Sequence, residues 1–141
     1  MQGPGVQESD MALVARNLNT GVVVADRVGV ADTRATRAVG LLSRTGLEPG
    51  EALWIVPSRG VHTCGMKFTI DVIALDGAGV VIDRVAGLKP WRIRLPRPGT
   101  AGVLELPAGA LDESGTALGH RIEFGQAEGS PDLVVRMQET R

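Results

Sequence analysis

Aromatic residues are scarce in this chain: two Trp, two Phe and no Tyr make up 3% of 141 residues. An interior must therefore be built from Val, Ile and Leu, which the 43% hydrophobic content supplies. The single cysteine, Cys64, excludes an internal disulfide, so the fold does not depend on an oxidising compartment. Neither charge sign dominates. Fifteen basic against sixteen acidic residues leave a formal charge of -1, which excludes a global attraction to nucleic acid or to an anionic membrane. No long apolar run occurs either. Met11 to Ala15 is too short for a signal-peptide core or a membrane span, so a soluble, cytoplasmic chain with no membrane partner is expected. Neither the dinucleotide fingerprint nor a P-loop stands between a strand and a helix, and no cofactor is expected. Heptads and internal repeats are missing too.

What the sequence has is many short apolar segments separated by turn residues. Residues 1–10, with Gly3, Pro4 and Gly5, are expected to form a flexible leader, because they offer too little apolar surface to offset their ordering entropy. Ala12 to Arg16 and Val22 to Val28 form a hairpin pattern around Asn19-Thr20-Gly21. Asp32 or Thr33 caps an expected helix over residues 33–44, with Ala35, Ala38, Val39 and Leu42 at helical spacing and Gly46 beyond its end. Ala52 to Val56 predicts a strand stopped by Pro57. Phe68 to Leu75, the turn Asp76-Gly77-Ala78-Gly79 and Val80 to Val85 predict a second hairpin.

Further along, Trp91, Ile93 and Leu95 alternate with Arg92 and Arg94, the pattern of a strand with a buried apolar face and solvated arginines. Val103 to Leu106 and Arg121 to Phe124 add strands, and Ala108 to Leu118 holds a helical turn. The expected fold is mainly β, a β-rich α+β domain over residues 11–125. Its antiparallel sheet closes toward a barrel or sandwich beside one helix. Gly125 to Asp132 has linker composition, and residues 126–141 form a tail in which Leu133 to Met137 is a candidate added strand.

The densest run of reactive side-chain types is Val61-His62-Thr63-Cys64-Gly65-Met66-Lys67-Phe68-Thr69-Ile70-Asp71. His62 could take the Cys64 thiol proton and create a nucleophile for acyl or thiol transfer; a free cysteine also serves simply as a small buried hydrophobe. As metal ligands, His62 and Cys64 with Asp71, Glu105 or His120 lack the paired spacing of structural zinc, so no metal is expected. Arg44 could clamp Asp71 or Glu105 in one ionic cluster with His62, either to hold the fold or to bind a ligand. Asp71 and Glu105 could serve as a general acid and base, although alternation toward solvent also explains a charge between Leu104 and Leu106. Lys89, Arg92, Arg94 and Arg97 around Trp91 form the conspicuous basic stretch, a local surface for anionic polymers, although alternation sets Trp91 opposite Arg92 and Arg94 and favours a tryptophan packed in the core with solvated arginines.

That stretch resembles the uncharacterised family known as domain of unknown function 192, together with Gly40-Leu41-Leu42-Ser43-Arg44, Leu53-Trp54-Ile55-Val56-Pro57 and Leu104-Glu105-Leu106-Pro107-Ala108-Gly109. The resemblance covers roughly Leu13 to Phe124. It departs at Leu42, where methionine is usual, and at Thr69, where proline commonly precedes the Ile-Asp pair. Resemblance to the family implies a compact, mainly antiparallel β fold with a helix and brings no established activity. The family's frequent aromatic residue at the Cys64 position implies packing there. Its members often carry exported or lipid-anchored N-termini, a feature this chain does not display. Arg44, His62, Asp71 and Glu105 all lie in the family motifs. With Cys64 they form the expected ligand-binding set of a non-catalytic β module that takes a small ligand or a protein partner.

Overall fold

The computed structural model describes residues 13–58, 60–95 and 97–126. Along these residues run β1 (Leu13–Asn17), β2 (Val23–Ala31), α1 (Arg34–Val39), β3 (Glu51–Ile55), β4 (Val61–His62), β5 (Ile70–Leu75), β6 (Val81–Leu88), β7 (Ile93–Arg94), β8 (Gly102–Pro107), α2 (Ala110–Ser114) and β9 (Ile122–Gln126). Seven of the strands make one curled sheet in the order β6-β5-β8-β3-β2-β1-β9, while β4 and β7 form a separate ribbon. Neighbours are antiparallel except β2 and β3, which run parallel through the crossover that carries α1. The architecture is the expected β-rich one with a flanking helix, and one parallel pair is added.

The sheet curls until its two edges meet. Beside β6, Val80 bridges Arg121 at the start of β9, and Ile122 N–H donates to the Gly79 carbonyl at 2.8 Å. The turn before β6 permits this approach. The Asp76 carboxylate accepts from the N–H groups of Ala78 and Val80, both at 2.9 Å, and Gly79 takes a φ of 86°. At the other hairpin the buried Asn17 side chain accepts from the N–H groups of Asn19 and Thr20, which fixes the expected β1–β2 turn.

Both faces of the curled sheet are covered. One core draws on all seven strands and on Leu111 of α2, with Ile73, Leu75, Leu104 and Leu106 at its centre and Trp54 packed against Phe124 at 4.8 Å between ring centroids. The other core lies on the opposite face of β3, β5 and β8, where Leu53, Ile70, Val72 and Val103 meet Leu41, Met66 and Leu88. Residues of β5 alternate between the two cores, so all six are buried.

Two expectations give way. The helix is six residues long rather than twelve. Thr33 caps it in a reciprocal box with Thr36, and Gly40 ends it six residues before Gly46, since a left-handed φ of 48° breaks the helical path. Leu41 is thereby released into the second core. The segment 91–95 is no half-buried strand: Trp91, Ile93 and Leu95 are 68%, 69% and 75% exposed. Arg92 is exposed as expected, and within 91–95 only Arg94 is drawn inward. Arg94 turns inward and clamps the buried Asp83 carboxylate through Nε at 2.9 Å and Nη2 at 2.8 Å, which forces its apolar neighbours outward. That guanidinium outweighs the upward push of burial and holds Asp83 below the usual carboxylate range.

The expected leader and the candidate strand at 133–137 lie outside the described residues, and β9 extends through Gln126 into the start of the expected linker. A Cβ placed on Gly79 would stand 2.5 Å from the Ile122 carbonyl oxygen. Gly79→Ala is therefore expected to destabilise the domain by about 2 kcal/mol or more, from strain plus overpacking. Urea unfolding measures the loss, and amide exchange should show lost protection first at Ile122.

Candidate functional site

Register places the two acids of the apolar strands on opposite faces of the sheet. Asp71 of β5 stands opposite Leu106, on the face of the seven-strand core, whereas Glu105 of β8 stands opposite Val72 and Leu53, on the face of the second core. They do not face each other, so the acid–base pairing of Asp71 with Glu105 is not formed.

Asp71 is 1% exposed and fully engaged by backbone. Its Oδ1 accepts from Gly87 N–H at 2.9 Å, and its Oδ2 accepts from Gly109 N–H at 3.1 Å and Leu111 N–H at 3.0 Å. It caps α2 from a distant strand, supplying the acceptor that Gly109 at the N-cap lacks. Arg44 reaches neither acid. It pairs with Glu51 at 2.9 Å, and Glu51 also accepts from Glu48 N–H at 2.8 Å. Burial pushes the Glu51 carboxyl up, but that N–H and the Arg44 and Arg27 guanidiniums hold it below the usual range. Cys64 is half-buried in the turn after β4, and no hydrogen bond joins it to the exposed His62 ring.

Glu105 is different. It is 3% exposed despite its place between Leu104 and Leu106, because a sheet covered on both faces offers no solvent side. That overturns alternation toward water as the explanation of its charge. Among the described residues no group donates a hydrogen bond to its carboxylate, and burial alone pushes the carboxyl up to about 7. What remains of its surface opens into a cleft of about 210 Å³. The residues around α1's end and the following turn, Arg37 to Leu42, make one wall; Ile55, Val61 and Met66 make the other, and His62 stands at the rim.

Of the five expected site residues, His62 and Glu105 share this cleft, and Arg44, Cys64 and Asp71 do not line it. Two contributors were overlooked in the sequence. Arg37 sits on the cleft wall with Nη1 donating to the Asp32 carbonyl at 3.1 Å. Buried Thr63 exchanges backbone hydrogen bonds with the 89–92 segment, accepts from Arg92 N–H at 2.9 Å, and donates its hydroxyl to the Lys89 carbonyl at 2.6 Å. It thereby fixes the loop that carries His62. A buried threonine between two reactive side chains gives no sequence signal of that task. Among the described residues no cluster of three or more His, Cys, Asp or Glu is placed to hold a metal, and no helix is long and apolar enough to cross a membrane.

The family model described as "Uncharacterized ACR" matches residues 15–124, nearly the whole curled sheet with the cleft. The chain belongs to this family, domain of unknown function 192. A UPF0127 protein of Pyrococcus abyssi is 35% identical over 104 residues, covering 70% of this chain and 86% of the relative. A UPF0127 protein of Thermococcus sibiricus is 31% identical over 113 residues, 77% and 72% of the two chains. The crystal structure of a protein of unknown function from Novosphingobium aromaticivorans superposes with a TM-score of 0.69 at 22% identity, over 86% of this chain and 93% of that one. Membership of domain of unknown function 192 thus fixes the fold and brings no activity with it.

The Glu105 carboxyl makes stability pH-dependent in a definite direction. Its folded pKa of about 7 stands above the ordinary 4.5, so the stability carried by its protonated form is fully present below 4.5 and is lost as pH rises through about 7. The loss amounts to about 3 kcal/mol. Glu105→Gln keeps the neutral shape at every pH. It is expected to match the parent below about pH 4.5 and to exceed it by about 3 kcal/mol near pH 8, as read from urea midpoints.

Proposed function

We propose that this chain is a non-catalytic β module that binds a small ligand in the cleft beneath the end of α1, with Glu105 at its floor and His62 at its rim. One observation carries this: a carboxyl group buried among aliphatic side chains with no partner among the described residues. Such a group lowers stability, and a position serving only the core would be filled by another aliphatic side chain. An incoming ligand with hydrogen-bond donors supplies what the fold leaves out. The volume of about 210 Å³ is below the several hundred typical of drug-sized sites, so the ligand is small. Thiol transfer through Cys64 has no such support, since His62 makes no hydrogen bond to the thiol.

Cyclohexanol is a suitable neutral probe of the cleft. Its addition is expected to shift the methyl resonances of Leu41, Leu42, Val61 and Met66. Ala38→Trp, at an exposed helix position on the wall, should fill the mouth and abolish those shifts. Shifts confined to other methyls, or unaffected by Ala38→Trp, reject the site.

The outward turn of Trp91 favours a second role, weak binding of an anionic polymer. Trp91, Ile93 and Leu95 form an exposed apolar strip flanked by exposed Lys89, Arg92 and Arg97, while Arg94 is withdrawn to Asp83. An aromatic face beside exposed cations, here Lys89 and Arg92 with Arg97 also drawn toward Asp83 at 3.5 Å, is the chemistry that holds single-stranded nucleic acid. Retention of a single-stranded oligonucleotide should fall as salt rises, and Trp91→Ala should weaken it about tenfold. Absent or salt-insensitive retention dismisses this role.

A further inference from the structure

We infer that the ligand of the Glu105 cleft is a small organic ammonium ion with a short aliphatic or alicyclic body, its N–H donors directed at the Glu105 carboxylate. This rests on the cleft being the binding site and specifies what enters it. Arg44 pairs with Glu51 and Arg94 with Asp83, and Arg37, on the cleft wall, donates to the Asp32 carbonyl and makes no hydrogen bond to Glu105. Among the described residues no cation pairs with Glu105, so its ionised form is compensated only by taking up a proton or by an incoming cation.

A bare metal ion does not meet the need. Hard cations take six or more oxygen ligands, and the cleft offers one carboxylate and an exposed imidazole. An organic cation brings its own hydrogen-bond donors and needs only one carboxylate to accept them. An anion would be repelled, and a neutral molecule would leave the carboxylate uncompensated. The walls decide the remainder of the ligand. Leu41, Leu42, Ile55, Val61 and Met66 supply apolar surface beside the polar groups of Arg37, Ser58 and His62, and the volume admits a body about the size of one saturated ring.

The experiment titrates the full chain with cyclohexylammonium and with its neutral counterpart cyclohexanol at about pH 8, where an alkylamine keeps its proton and Glu105 is ionised. Calorimetry or methyl shifts read the affinities. The ammonium should bind at least about tenfold more tightly than the alcohol, and Glu105→Gln should bring that ratio to about one while leaving the alcohol unchanged. Equal or tighter binding of the alcohol by the parent chain overturns the ammonium assignment and leaves the cleft standing as a site. A preference for ammonium that survives Glu105→Gln also overturns it. If neither probe binds, the cleft itself fails as a site, and the assignment fails with it.

Discussion

The Asp71 carboxylate and its three backbone N–H donors are the constraint on which the rest of the domain depends. An acid inside a strand whose six residues are all buried is costly unless its lone pairs are filled. Asp71 fills them from Gly87 on β6 and from Gly109 and Leu111 at the start of α2, so one side chain fixes three elements relative to one another. Bonds to an ionised group contribute about 1.5–3 kcal/mol each, and each donor left without its acceptor would lose a comparable amount. α2 is five residues long and has no side-chain cap of its own. A helix that short does not persist alone, and Asp71 is what seats it with Leu111 inside the seven-strand core.

What the sequence made legible was local. The turn at 76–79 was visible because Asp76 and Gly79 supply an acceptor and a left-handed residue at fixed offsets. The start of α1 was visible because Thr33 and Thr36 have capping spacing. β5 and β8 were visible as short apolar runs bounded by turn residues, because both strands are buried on both faces. The segment around Trp91 defeated the reading of alternation for a specific reason. Alternation identifies two faces without saying which one turns inward, and here that choice is made by an ion pair to Asp83, eleven residues earlier on another strand. Gly40 ended α1 early through its positive φ, a backbone choice that apolar spacing cannot register.

The same limit explains why the two acids of the strands looked alike. Asp71 and Glu105 each interrupt an apolar run, and both resemble family motif positions. The difference lies entirely in what the fold brings to them. One residue of register across β5 and β8 separates their faces, so that Asp71 meets the amide ends of α2 and of a turn-like stretch of β6, while Glu105 meets side chains that offer no donor. A carboxylate with three donors is a structural joint. Its neighbour on the far face has the burial of a joint without the partners of one, and it is also the acid that opens to a cleft. The ionic cluster expected among Arg44, His62, Asp71 and Glu105 is thus divided into three separate devices: a surface clamp to Glu51, a backbone knot and an uncompensated acid.

This division orders the candidate roles by their physical cost. Arg44 with half-buried Glu51 and Arg94 with buried Asp83 are bidentate or doubly supported pairs, in which each charge has a partner. Glu105 differs among the described residues, because desolvation raises the pH at which it ionises and no donor offsets it. On the proposed reading, local consistency is given up at one glutamate, beside the turn in which Gly40 stops α1 short. The early end of the helix and the opening above this acid are therefore linked: a helix continuing through Leu42 would carry Leu41 away from the wall it now forms, and the cleft above Glu105 would lose its shape.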